Sequence, residues 1–143
     1  MKWITREGAK VDRVACPGLI SKFIDSDGEF IFVPRDRVLE EAKRRNATPF
    51  DAEGVDQGHH GPDCSFETIV KRYNLTDPAL HELAKIVHGA DTADPHPVLQ
   101  AAGPRAIAEG MARTTPDDHE KLAKAFPVYD ALYAWCQKSL AAR

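Results

Sequence analysis

"KWITREGAKVDRVACPGLISKFIDSDGEFIFV", residues 2–33, decides the fold class. Its two ends, "KWIT" (2–5) and "EFIFV" (29–33), are short, rich in aromatic and β-branched residues, and bounded by polar or glycine-bearing segments, as strands are. Between them "DRVACPGLISKFID" reads as a loop entering a helix. Pro17 suits the first helical position, and Leu19, Ile20 and Phe23 are spaced to share one apolar face. A third, short edge strand can come from "ATPFD" (47–51) or "GVDQ" (54–57). Before it, Asp36 can cap a helix over "RVLEEAKRRN", with Val38, Leu39 and Ala42 inward and Asn46 near its end.

The second half reads as helical throughout. Ser65 can cap a helix whose buried stripe is Phe66, Ile69, Val70 and Tyr73. In "LTDPALHELAKIVHGAD", Asp77 is the cap, Pro78 the first helical residue, and Gly89 the expected terminator. A helix over "HPVLQAAGPRAIAEGMAR" should kink or split at Gly103-Pro104. For the last helix Thr115 is the expected cap, with Pro116 next and Asp118 as the reciprocal capping carboxylate. From there Leu122, Phe126, Tyr129, Tyr133, Cys136 and Leu140 form a buried stripe, bent by Pro127. No repeat or linker divides the chain, so residues 1–143 are expected to form one α+β domain, mostly helical, with a small N-terminal β-sheet. Trp3 and Trp135 are expected in the core.

At 143 residues the chain is long enough to bury a core without disulfides or a structural metal. It carries 19 basic and 22 acidic residues, a net charge of −3, which argues against direct DNA binding by this chain alone. The one compact basic run, Lys43-Arg44-Arg45, falls at a helix end and suits the helix dipole better than phosphate. Three widely spaced cysteines with no CxxC, no signal-peptide core and no apolar run of membrane-spanning length point to a reduced, cytoplasmic protein.

Three polar groups stand at helix boundaries: His59, His60, Asp63 and Cys64; His88 with Asp91; and Asp117, Asp118, His119 and Glu120. Helix ends leave backbone groups unpaired at the edge of the core, so sites form there readily. His59 or His60 with Asp91, Asp118 and His119 would make a mixed nitrogen and oxygen shell suited to zinc, iron or manganese. The alternative is that Asp118 only caps its helix and the histidines are solvated turn residues. Cys16, if it precedes the first helical residue, occupies a cap where the dipole and Arg13 would favour a thiolate; the alternative is a small buried hydrophobe. Arg13, beside Asp12, either pairs with that carboxylate or helps cradle an oxyanion. Cys136 lies on the core stripe, and Cys64 is open to either use.

Taken together, "KWITRE", "KVDRVACPGLISKFID", "EFIFVP", "GHHGPDCSFE", "LTDPALHELAKIVHGAD", "QAAG", "DDHE" and "YDALYAWC" resemble, in order and over nearly the whole chain, the chromate-resistance family, specifically the C-terminal domain of ChrB-type proteins. The resemblance implies a part in bacterial chromate resistance, with regulation of a chromate-efflux system as the usual proposal. Its polar positions correspond here to Asp12, Arg13, Cys16, His59, Cys64, Asp91, Asp118 and His119. Two positions depart from the pattern: Gly18 stands where relatives commonly have Trp, and Gly61-Pro62 where they often have Gly-Glu. The expectation is a metal- or oxyanion-binding sensor or regulatory accessory protein. Asp12, Arg13 and Cys16 would serve chromate or another small oxyanion, His59, Asp91, Asp118 and His119 a divalent metal, and other chromate-resistance proteins would be its partners. The alternative is a metal-dependent enzyme, hydrolytic or superoxide-detoxifying, built on the same histidines and aspartates.

Overall fold

A computed structural model describes residues 1–143. Strand β1 (Lys2–Arg6) pairs in parallel with β2 (Glu29–Val33), in register from Lys2 opposite Glu29 to Arg6 opposite Val33. Parallel neighbours need a long crossover, and the 13-residue helix α1 (Val11–Phe23) supplies it. The "ATPFD" segment provides β3 (Thr48–Pro49), parallel to the other edge of β1, so the strand order is β2-β1-β3. With neighbours on both edges and helices over it, β1 buries Trp3, Ile4 and Thr5 completely instead of alternating.

Between β2 and β3 a 3-10 turn (Arg35–Arg37) leads into α2 (Val38–Arg45), which ends on Asn46 in the left-handed conformation. Then follow α3 (Ser65–Arg72), α4 (Pro78–Asp91), a 3-10 turn (Leu99–Ala101), α5 (Ala102–Thr114) and the 24-residue α6 (Asp118–Ala141). α1 lies between the sheet and the helical layer, and its buried Cys16, Leu19 and Ile20 join Trp3, Phe66, Ile69, Leu80, Val87, Leu122 and Cys136 in one core. The α+β class, mostly helical with a small N-terminal sheet, is as the sequence suggests.

Several boundaries differ, and the reasons bear on the site. α1 begins at Val11, six residues before Pro17, so Pro17 is interior and Cys16 is not a cap. Lys10, at the true cap position, has no capping side chain. The start of α1 is served from far away instead. Asp118 accepts from the backbone N–H of Gly8 (3.0 Å) and Ala9 (2.7 Å), and Asp91 accepts from that of Asp12 (3.3 Å). Likewise Cys64, not Ser65, is the cap position of α3, and Asp117, not Thr115, caps α6 by accepting from Glu120 N–H at 2.9 Å. Asp36 falls in the 3-10 turn and caps nothing. Gly89 does not end α4; it lets that helix pass close to Ala101 and Pro97, whose Cβ atoms would lie 2.7 and 2.9 Å from an added Cβ. Gly103-Pro104 sits in the first turn of α5 and Pro127 inside an unbroken α6. Leu39 and Trp135, expected inside, are exposed.

Candidate functional site

In a parallel sheet ordered 2-1-3, the connections from β1 and β3 leave in different directions, and a crevice opens beyond their C-terminal ends. Asp12 enters it from the first turn of α1. Asp51 lies just past β3, in the left-handed backbone region (φ 45°) that aspartate tolerates better than most residues. Asp91 is the last residue of α4, and His59 comes from the loop before α3. They converge on one atom: His59 Nε2 lies 3.2 Å from Asp12 Oδ2, 3.4 Å from Asp51 Oδ1 and 3.2 Å from Asp91 Oδ2.

The three carboxylates are buried or nearly so, whereas the His59 side chain is 48% exposed, so the centre is a walled acidic recess lidded by an imidazole. Each carboxylate is further fixed. Asp12 accepts from the backbone N–H of Ser65 (2.7 Å) and Phe66 (3.1 Å), and so caps α3. Asp51 accepts from Ser65 Oγ at 2.6 Å and pairs with Arg13 at 3.4 Å. Asp91 holds the start of α1.

His59 and Arg13 bring two positive charges to three carboxylates, so a proton on Asp91 or a further cation completes the balance. His59 is pushed up to about 10 by its hydrogen bonds to Asp12 and Asp51, so its ring is an imidazolium at neutral pH. Burial works to raise the Asp51 carboxyl, but the bonds from His59 and Ser65 and the charge of Arg13 outweigh it and hold Asp51 below its ordinary value. Asp91 is raised to about 7, by burial first and then by its neighbours Asp12 and Asp51. It is the carboxyl on which a shared proton costs least. Carboxylates packed this closely attract a cation and repel an anion. The ligand atoms of Asp12, His59 and Asp91 lie within 4.8 Å of one another, close enough to grip one ion.

The expected metal shell therefore divides. His59 and Asp91 meet; Asp118 and His119 stand outside. Asp118 is taken up by Gly8, Ala9 and Lys121, and the His119 ring packs edge-on against Phe32. The expected oxyanion set is also rearranged. Arg13 pairs with Asp51, not Asp12, and donates to Gly8 O at 3.0 Å. Cys16 is fully buried in the second turn of α1, and burial, with Asp12 beside it, pushes the thiol well up and away from a thiolate. Asp12 serves the acidic centre. His60 turns away to Asp56 O, and Asp63 pairs with Lys71. Asp51 is a residue missed; an aspartate two residues past a short strand, directly after Pro49 and Phe50, was the available signal.

His59 separates two openings. One is a cleft of about 850 Å³ whose lining includes Arg6, Arg35, Asp51, Val55 and His60. There Arg6 Nε is buried without a hydrogen-bond partner. The other, of about 640 Å³, is lined by His59, Pro62, His88, Asp91 and Asp94, among others.

A histidine ringed by aspartates at the C-terminal end of a small parallel sheet, under a helical layer, defines a helix-rich α+β domain with a cation-attracting centre. The family model described as "ChrB, C-terminal domain" matches residues 3–136, and the chain belongs to that family. Protein ChrB of Cupriavidus metallidurans is 33% identical over 133 residues, covering 92% of this chain. The match spans 40% of that relative's length. No solved structure matches. No helix is long and apolar enough to cross a membrane.

Proposed function

We propose that the domain is a chromate-resistance module that binds a divalent cation through Asp12, His59 and Asp91, with Asp51 as a further carboxylate, and presents a small oxyanion to that centre. The observation that carries this reading is His59 Nε2 lying within 3.4 Å of three carboxylates. One imidazole with several carboxylates suits manganese, iron or zinc, and calcium less well. The cation would take the place of the imidazolium proton and balance the acidic recess. Chromate, a tetrahedral dianion, would not enter the recess by itself; a bound cation and the unpartnered Arg6 supply the attraction it needs. A cytoplasmic sensor or regulatory accessory role beside a chromate-efflux system fits such reversible binding. The three free cysteines, all buried, fit a reducing compartment.

The test is metal content in protein purified without an affinity tag, followed by titration of chelator-treated protein with zinc, manganese and iron(II). Uptake that falls by one equivalent from wild type in His59→Ala and Asp91→Asn is the expected result. Uptake by both variants equal to that of wild type overturns the reading.

The half-exposed His59, with openings on either side, favours a second use of the same centre. A metal there would keep an accessible face, as catalytic sites do. The metal-dependent enzyme reading, hydrolytic or superoxide-detoxifying, is checked by assaying metal-loaded protein against phosphate esters and superoxide. Absence of turnover in both removes it.

A further inference from the structure

We propose a second metal site, independent of the first and of different chemistry, made by Cys64, Glu67 and His88. Cys64 precedes α3, Glu67 stands in its first turn, and His88 lies in the last turn of α4, so the packing of α3 on α4 joins them. His88 Nδ1 is 2.6 Å from Glu67 Oε1, and the Cys64 sulfur completes a set of ligand atoms all within 4.8 Å of one another. The ring is aimed from behind: Asp94 Oδ2 sits 3.2 Å from His88 Nε2. A carboxylate on the far nitrogen of a histidine is the usual second partner of a metal-bound imidazole, fixing its tautomer and raising its basicity.

A helix cap alone does not account for this arrangement. Glu67 Oε1 does accept from Cys64 N–H at 3.1 Å, as a capping carboxylate would. The Cys64 side chain accepts in return from the Glu67 backbone N–H, which completes a reciprocal cap, but that role needs no histidine held between two carboxylates. His88 and Asp94 also line the 640 Å³ opening, which gives an ion a route in and leaves room for a water or ligand at a fourth position. Sulfur, nitrogen and oxygen ligands together select zinc over manganese or magnesium. On binding, the Cys64 thiol loses its proton to solvent as the metal–sulfur bond forms, and the Glu67–His88 hydrogen bond opens to admit the ion. The two centres are neighbours, because Asp12 of the first bonds to Ser65, next to Cys64 of the second.

Cobalt(II) titration of the full chain tests the site and separates it from the first centre. Only a thiolate ligand gives a sulfur-to-cobalt charge-transfer band in the near ultraviolet, and the first centre offers none. The expected result is a band that saturates with one equivalent, is bleached by zinc, persists in Cys16→Ser and vanishes in Cys64→Ser, whose fold is checked by circular dichroism. Asp94→Asn should weaken cobalt binding at this site by about 10- to 100-fold. No band in the cobalt-saturated wild type, or a band surviving in Cys64→Ser, overturns the proposal. Should Cys64→Ser fail to fold, His88→Gln decides: an unchanged band there overturns it equally. The d–d absorption of cobalt at the oxygen-rich centre, and its loss in Asp91→Asn, reports separately on the first site.

Discussion

The carboxylate of Asp12 accepts a hydrogen bond from the backbone N–H of Ser65 at 2.7 Å, across 53 residues of sequence. A residue in the first turn of α1 thus caps α3, and the same carboxylate faces His59 at 3.2 Å. Architecture and site share one side chain. Asp12→Ala leaves the N–H groups of Ser65 and Phe66 without acceptors in a buried place. The expected cost is about 1–3 kcal/mol, read as a lower urea midpoint in metal-free protein. Asp12→Asn keeps an acceptor oxygen and should cost less, while weakening metal uptake as strongly. A variant that loses metal binding at no cost in stability in either form would contradict the shared role.

Asp118 gives the converse case. Its carboxylate spans Gly8 and Ala9 N–H, and Lys121 Nζ lies 3.3 Å from Ala9 O, so α6 anchors the entrance to α1. Asp118→Ala is expected to destabilise by about 1–3 kcal/mol, because two backbone donors lose their partner. Metal stoichiometry at the His59 centre should be unchanged. A drop in metal content without a drop in urea midpoint would return Asp118 to the metal shell.

These two residues show what was legible in the sequence. Strands, helices and most of the core follow from local periodicity, which each segment carries by itself. His59 and Asp91 were visible as polar groups at helix boundaries, and the structure brings them together. Asp118 looked like a capping carboxylate for the helix it begins, since local rules assign a cap to its own helix. It caps the start of another helix, 109 and 110 residues away, and no local rule reaches that far. The same blindness hid the true start of α1. Cys16-Pro17 carries the local signature of a helix start, while the actual start relies on Asp91 and Asp118. Asp51 escaped because its importance depends on β3 lying parallel to β1, a fact of strand order and not of composition.

Glu41 gives the fold a pH dependence away from the site. Its carboxylate, 7% exposed, takes Arg44 at 2.6 Å, Arg45 at 2.8 Å and Arg37 at 3.4 Å. Arg44 first and Arg45 next hold it down to about 2, from an ordinary value of 4.5. The folded state gives up this proton more readily than the unfolded chain does. The stability it contributes is therefore fully present above about pH 4.5 and lost as the pH falls through about 2. Glu41→Gln should be less stable than wild type at neutral pH and should lose less on acidification across that window. Parallel urea midpoints for the two proteins at every pH would contradict the assignment. The pairing also explains why the basic run ending α2 is no phosphate patch, since Arg44 and Arg45 are already engaged.

Arg6 is the cation that remains free to meet a ligand. It ends β1, beside the crevice at the C-terminal edge of the sheet, and lines the 850 Å³ cleft with Asp51 and His59. Its Nε is buried with no hydrogen-bond partner, and a buried donor left unpaired is costly. An anion in the cleft would satisfy that donor and also face a cation held by Asp12, His59 and Asp91. Metal-loaded protein is therefore expected to bind chromate or sulfate in calorimetry, and metal-free protein to bind neither, since the recess alone repels anions. Arg6→Gln should weaken anion binding by about 10- to 100-fold, the equivalent of a charged hydrogen bond worth about 1.5–3 kcal/mol. It should leave the metal content intact, because Arg6 is not a ligand. Arg6→Lys keeps the charge without the planar fork of donors, so it should recover only part of the loss. Arg13→Gln, by contrast, removes the partner of Asp51 and should act mainly through stability. Anion affinity that is equal in Arg6→Gln and wild type would exclude Arg6 as the anion-facing group.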